Sequence, residues 1–267
     1  DILLASSVEV FLDKYGVGYP IEKVKEELLK ADICMANLEC AVGTGGQPEK
    51  DKQYVFRARP EITDELKRTG IDILSLANNH IMDYGEGTLL ETLRHLDKSG
   101  ILYCGAGQDF RRANEPVYVK NEDVKLAFIS SSHVIPFMSW HAGENKPGVA
   151  SAYNPGVLVK NVRTAAEIAD IVVVYLHWGI EKKIQPEPYQ RNIAKLLIDN
   201  GADIVMGTHT HVLQGFEFYK DGFIAYSLGN FVFTDISNDT VIVNVRVGKG
   251  KVNGVKVIPC KIKNFRP

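Results

Sequence analysis

Gly207-Thr208-His209-Thr210-His211 places two imidazoles two residues apart, directly after the apolar run Ala202-Asp203-Ile204-Val205-Met206. The run reads as a buried strand ending at the glycine. Side chains i and i+2 of an extended segment share a face, so His209 and His211 are expected to converge as two ligands of one metal site must. Neutral imidazole is a common ligand for zinc, iron and manganese. Two surface histidines in a loop would give the same pentapeptide, so the other strand ends decide the matter. Residues 71–77 run into Asn78-Asn79-His80, with Asp83 and Gly85 just beyond. Residues 171–176 run into His177-Trp178-Gly179, with Glu181 behind. Residues 32–36 run into Asn37-Leu38-Glu39, and Asp1 stands immediately before Ile2-Leu3-Leu4. Ligands of α/β proteins collect at the carboxyl ends of strands. Five such ends carrying Asp, Glu, Asn or His point to one polar site.

The elements that must position these residues alternate along the chain. Helices are expected over Ile21–Lys30, Pro60–Thr69, Gly87–Ser99, Val157–Ala169 and Tyr189–Asn200, from apolar residues at three- and four-residue spacing with proline and glycine at the ends. A hairpin is expected from Pro116–Lys120 and Val124–Ser130 around Asn121-Glu122-Asp123. His133–Pro155 is long for a connection without periodicity, and such loops are usually functional or mobile. After His211 the pattern changes to strands, Val212–Tyr219, Gly222–Ser227, Thr240–Val247 and Lys251–Lys261, read as an antiparallel meander. No repeat or composition break divides residues 1–267, so one domain is expected.

Composition sets limits. A net charge of -2 argues against nucleic acid as the partner, and no apolar run approaches the roughly 20 residues of a membrane-spanning helix. A chain opening without methionine on a core strand is expected to be a trimmed form whose signal or anchor lies outside it. The four cysteines, Cys34, Cys40, Cys104 and Cys260, form no CxxC pair and give no support to a zinc ribbon.

Asn78-Asn79-His80 with Asp83 and Gly85, His177-Trp178-Gly179 with Glu181, Gly207–His211 and Tyr226-Ser227-Leu228-Gly229-Asn230-Phe231 together resemble the signature blocks of the CapA family. These are capsule-biosynthesis proteins associated with bacterial poly-γ-glutamate, and the resemblance runs from Asp1 to about Asp235. That family in turn resembles calcineurin-like metallophosphoesterases. The resemblance implies an α/β fold, a four-layer α/β/β/α sandwich with two central mixed sheets. It implies Asp1 as a first-strand ligand, Glu39 as the bridging carboxylate, Asn79 as an amide ligand, and His177, His209 and His211 as further ligands. His80 would contact the leaving-group oxygen. The implied cofactor is a divalent ion (manganese, zinc or iron), and the implied location is the outer face of the membrane or the cell envelope. Partners would be an anionic polymer or a phosphoester, with other capsule-synthesis proteins at the membrane.

Two positions depart from the phosphoesterase pattern. Leu3 stands where that pattern has a histidine, and the bridge is Glu39 rather than Asp. One tight site (Asn79, His177, His209, Glu39) and a second, weaker one (Asp1, His211, Glu39) are therefore expected. An oxygen and nitrogen donor set without thiolate suits such ions. His80 could protonate a departing alkoxide. Asp83, Glu181 and Asn230 read as outer partners orienting the ligands, though Asp83 and Glu181 could equally be solvated charges and Asn230 part of a structural turn. Lys52, Arg57 and Arg59 could meet an anionic substrate but read more simply as solvated, as do His133 and His141. His95 reads as structural, Trp178 as core, and Trp140 as a possible groove residue. Two functional classes remain. One is a metal-dependent hydrolase, favoured by the intact Asn79-His80, His177 and His209/His211 set. The other is a binding module for an anionic polymer on a degenerate site, favoured by Leu3.

Overall fold

The computed structural model describes residues 1–233 and 237–267. Strand Ile171–His177 shows how its layers arise. Its residues are apolar on both faces as far as Leu176. Val172, Val174 and Leu176 join one buried cluster with the helices Gly156–Ile168 and Pro188–Asp199, while Ile171, Val173 and Tyr175 join another between two sheets. A strand buried on both faces must read as a continuous apolar run. Ile73 and Cys104 from the other sheet enter the same central cluster. Leu74 and Leu76 belong instead to a third cluster beneath the helices Ser7–Tyr15, Ile62–Arg68 and Gly85–Ser99. Helices, sheet, sheet and helices thus follow one another, the expected four-layer sandwich.

The first sheet carries the parallel strands Met35–Asn37, Ile73–Ser75 and Leu102–Cys104, in that order. Ile2 bridges to Leu38 and to Val232 at its edge. The second runs Phe216–Tyr219, Gly222–Ala225, Ile204–Thr208, Ile171–His177, Val124–Ser132, Val117–Asn121. Its three long central strands are parallel and in register, with His177 opposite Thr208 and Ser132. Their carboxyl ends therefore open on the same edge. Ser75 and Ser130, at a 2.6 Å Oγ–Oγ distance, join the two sheets just below that edge. A separate hairpin, Asp239–Gly248 with Lys251–Lys261, packs Val243, Val245, Val247, Val252 and Val255 against the central cluster.

Helix ends follow their sequence signals. Gly100, left-handed at φ 68°, donates to the Leu96 and Asp97 carbonyls and stops the helix Gly85–Ser99. Pro188 opens the last helix, inside a capping box of Glu187 and Gln190. Two expectations need correction, and one helix had no counterpart in the sequence reading. Only Lys25–Leu28 of the expected Ile21–Lys30 helix is helical. Short turns such as Ile21 N–H to Gly18 C=O and Val24 N–H to Ile21 C=O precede it. Turns closed over three residues bury Ile21, Val24 and Leu28 as a helix would, so spacing alone did not separate the two. The helix Ser7–Tyr15, which buries Val8 and Leu12, was not foreseen. Gly222–Ala225 lies parallel to Ile204–Thr208, so the region after His211 is not a plain antiparallel meander.

Candidate metal centre

The His177 strand delivers its last residue wholly buried at the sheet edge. Next door, Gly207 has no room for a side chain: a Cβ would meet the Tyr226 carbonyl at 2.1 Å and Trp178 Nε1 at 2.3 Å. That space is taken by the Trp178 indole N–H, which donates to the Tyr226 carbonyl at 2.8 Å. One hydrogen bond thus ties together the His177-Trp178-Gly179, Gly207–His211 and Tyr226–Phe231 segments. Trp178 is fully buried, as expected. Beyond Thr208 the chain is not extended. His209 and His211 have φ of 92° and 58°, so left-handed turns, rather than strand alternation, bring the two imidazoles together. Non-glycine residues held at positive φ are strained and concentrate at functional sites.

Asp1, Glu39, Asn79, His80, His177, His209 and His211 are all buried and meet at this edge. His177 Nε2 lies 2.7 Å from Asn79 Oδ1 and 3.4 Å from Glu39 Oε1. The His177 and His209 rings are 4.7 Å apart, and those of His209 and His211 6.0 Å. Donor atoms of Glu39, His177 and His209 lie within 4.8 Å of one another, as do those of Asp1, Glu39 and His211, and those of Glu181, His209 and His211. Such groupings are compatible with ligands about 2.0–2.2 Å from a shared ion.

Electrostatics make this edge suited to a cation. Among the described residues, both Glu39 oxygens and His209 Nδ1 are buried without a hydrogen-bond partner, and a buried charge without a partner is costly. Burial pushes the Glu39 carboxyl up to about 8, against the opposing pull of Lys52. Burial, aided by neighbouring imidazoles, lowers His209 to about 3 and His177 well below its usual value, and burial brings His211 down to about 4. The three rings are therefore neutral near pH 7, as ligands must be. A divalent cation would give the Glu39 oxygens and the His209 nitrogen the partner that the protein withholds, so the residues present fit such a group.

The surroundings orient the donors. Asp1 Oδ1 accepts from Asn37 Nδ2 at 2.8 Å and Asp1 Oδ2 from the His209 backbone N–H at 3.2 Å. Asn78, next to Asn79, donates to Asn37 Oδ1 and to the Leu38 carbonyl, and its own Oδ1 accepts from the N–H groups of His80 and Ile81. Sequence reasoning missed Asn37 and Asn78 as organisers, although both sit inside the strand-end clusters it singled out. Asn230 Oδ1 lies 2.8 Å from His211 Nδ1, and Thr208 Oγ1 lies 3.2 Å from His177 Nδ1. Asp83 lies 2.7 Å from His80 Nδ1 and also accepts from the Phe56 N–H. Glu181 makes no such hydrogen bond among the described residues and is exposed.

Lys52 departs most from expectation. Its ammonium is largely buried, donates to Asp83 and to the Asn79 carbonyl, lies 2.9 Å from His80 Nδ1, and sits 5.3 Å from the Trp140 ring centre. A lone lysine in a polar segment gives no sign of this, because the contact depends on how residues 49–56 fold back over the site. Arg57 and Arg59 stay at the surface, Arg59 paired with Asp13. His133 and His141 are half-buried rather than solvent-exposed. His133 stacks on Tyr189 at 4.3 Å, and its backbone N–H donates to the His177 carbonyl. Trp140 is buried in the cluster beneath the helices Ser7–Tyr15, Ile62–Arg68 and Gly85–Ser99, and His95 is a partly buried helix residue within 3.7 Å of Glu91.

A sandwich of this layering with histidines and carboxylates at one strand edge is the architecture of metallophosphoesterases. A phosphatase structure from Mycoplasma pneumoniae superposes with a TM-score of 0.59 at 13% identity, covering 92% of this chain and 87% of that one. The chain belongs to the bacterial capsule synthesis protein family PGA_cap, whose model matches residues 1–235. It is 33% identical to the capsule biosynthesis protein CapA of Bacillus anthracis and 32% identical to the PGA biosynthesis protein CapA of Bacillus subtilis. All of this chain aligns with each, spanning 67% and 71% of their lengths respectively.

Proposed function

We propose that the strand-end site is a metal-dependent hydrolase centre serving capsule polymer synthesis at the cell envelope. The observation that carries this reading is Glu39, a buried carboxylate beside three neutral histidines with both oxygens unpartnered among the described residues. Glu39, Asn79, His177 and His209 would hold one ion tightly, and Asp1, His211 and Glu39 a second less so; manganese, zinc and iron all suit these donors. Bound ions would supply Lewis-acid polarisation of the substrate oxygen and a nucleophilic hydroxide at neutral pH. His80 serves as the proton donor to the leaving oxygen: burial lowers its pKa, Asp83 beside Nδ1 opposes that by favouring the protonated ring, and Phe56 covers the ring at 4.5 Å. Lys52 offsets the negative charge gathered by Asp1, Glu39 and Asp83. The substrate class is a phosphoester, or an acyl or phosphoryl bond of an anionic polymer, reached from the open strand edge. Relatives named for capsule and PGA biosynthesis support the setting, and other capsule-synthesis proteins are the expected partners. No helix among the described residues is long and apolar enough to cross a membrane.

A second reading is a binding module for the anionic polymer without turnover. Leu3 favours it, because that residue is fully buried in the apolar cluster under the first sheet and offers no donor beside Asp1. Elemental analysis of purified protein, followed by a phosphodiester assay with manganese, zinc and iron added back, separates the two. Tight metal with turnover lost on His80→Ala supports the hydrolase. Tight metal with no turnover under any of the three ions supports the binding module.

A further inference from the structure

Glu181 sits at the mouth of the centre on the turn that follows His177-Trp178-Gly179. One of its carboxylate oxygens and a ring nitrogen from each of His209 and His211 lie within 4.8 Å of one another. A carboxylate this close to two imidazoles either orients them by hydrogen bonding or shares an ion with them. The orienting positions of the other three rings are already filled. His211 Nδ1 faces Asn230, His177 Nδ1 faces Thr208, and His80 Nδ1 faces Asp83. Glu181 makes no hydrogen bond to any of these rings, and His209 Nδ1 is buried without a partner among the described residues.

We propose that Glu181 is a direct metal ligand, donating a carboxylate oxygen to the ion held with His211 on the solvent side of the centre. The inference rests on the metal-centre reading above and alters its count. Glu181 shares His211 with the Asp1 and Glu39 group and so adds a donor on that side, where Leu3 offers none. The two sets then differ in exposure rather than in number: every protein donor of the His177 set is buried, whereas Glu181 is open to water. A ligand able to swing into solvent gives an ion that exchanges quickly without being weakly specified. It also puts a carboxylate beside the path by which an anionic substrate must enter. Release of Glu181 from the ion would then open a coordination position on the substrate side.

The test is calorimetric titration of the metal-free protein with Mn²⁺, comparing the unmodified chain with Glu181→Gln and His209→Ala, and with melting curves to show that each variant folds. Cobalt(II) titration of the same proteins, followed by visible absorption, reports the ligand field of each equivalent. The expected result is two equivalents for the unmodified chain. Glu181→Gln should weaken the second at least tenfold, change its cobalt spectrum, and leave the first equivalent within twofold. Two equivalents unchanged in Glu181→Gln would overturn the assignment while leaving the metal centre standing. Equal weakening of both equivalents would also overturn it, because that is the behaviour of a general charge. Failure of the unmodified chain to bind any metal would remove the centre itself, and the Glu181 assignment with it.

Discussion

The two donor sets share Glu39 and differ in how fully the protein satisfies them without an ion. On the Asp1 side, both carboxylate oxygens accept hydrogen bonds, from Asn37 and from the His209 backbone, and His211 is held by Asn230. On the His177 side, His177 Nε2 and Asn79 Oδ1 face each other at 2.7 Å, but His209 Nδ1 and both oxygens of the shared Glu39 are buried without partners among the described residues. A site whose donors already have partners gains little from a cation. A site whose donors are buried and unsatisfied gains the whole desolvation cost back. The contrast therefore concerns how much free energy metal binding releases on each side, beyond how many ligands each side offers.

Removing the shared donor is the severest challenge to that contrast. Glu39→Gln should abolish tight binding on both sides, by a hundredfold or more in Kd (an order-of-magnitude figure for loss of a ligand). It should also raise the melting temperature of the metal-free protein above pH 8, where a neutral amide replaces a buried charge. Retention of one tight equivalent would show that Glu39 does not bridge. Next in size, His209→Ala should eliminate the tight equivalent, whereas Asp1→Ala should leave most of it, as read by elemental analysis after dialysis. Equal losses would erase the difference between the sides.

Acidity sharpens the comparison further. Glu39 is raised to about 8 from an ordinary 4.5, so its protonated burial favours the fold below pH 4.5, and that contribution is lost as pH rises through 8. His209 and His211 are depressed to about 3 and 4, so their contribution is present above pH 6.5 and is lost as pH falls toward those values. The metal-free protein should therefore lose stability on both flanks. Metal should rescue only the alkaline one, because binding needs Glu39 ionised. The Mn²⁺-induced rise in melting temperature should thus be larger at pH 8 than at pH 5.5, and the reverse order would contradict the assignment of Glu39. Lys52→Met should lower turnover about tenfold at saturating metal, since Lys52 touches His80, Asp83 and the Asn79 carbonyl. The smallest effect belongs to Leu3→His. Because Leu3 lies in the apolar core, the imidazole should destabilise by about 1–3 kcal/mol without adding a metal equivalent. A gain in stoichiometry would show that position 3 can reach the site.

The four layers were legible because strands buried on both faces, such as Ile171–Leu176, leave continuous apolar runs, and because glycine and proline mark helix ends near Gly100 and Pro188. The convergence of the strand-end residues was legible for the same reason: parallel strands in one register put their carboxyl ends on one edge. What the sequence left hidden depended on backbone outside regular elements. The left-handed turns at His209 and His211 have no marker in a Thr-His-Thr-His run, since such conformations usually advertise themselves through glycine or asparagine. Lys52 was read as a solvated charge because its partners lie 27 to 31 residues away, across a loop. The Ile21 region misled because three-residue turns mimic a helical spacing.

The φ values of His209 and His211 carry a consequence for how an ion arrives. Holding two non-glycine residues at positive φ costs about 1–3 kcal/mol each, and folding of the strand-end turns meets that cost before any cation is present. The imidazoles stand ready, with the Trp178–Tyr226 hydrogen bond clamping the turns from behind. Loading then requires no rearrangement of the main chain, and its rate is set by diffusion to the mouth and by departure of the Glu39 proton. Stripping the ion with a chelator should leave a chain of the same shape, able to reload on a millisecond scale rather than having to fold again (an order-of-magnitude expectation).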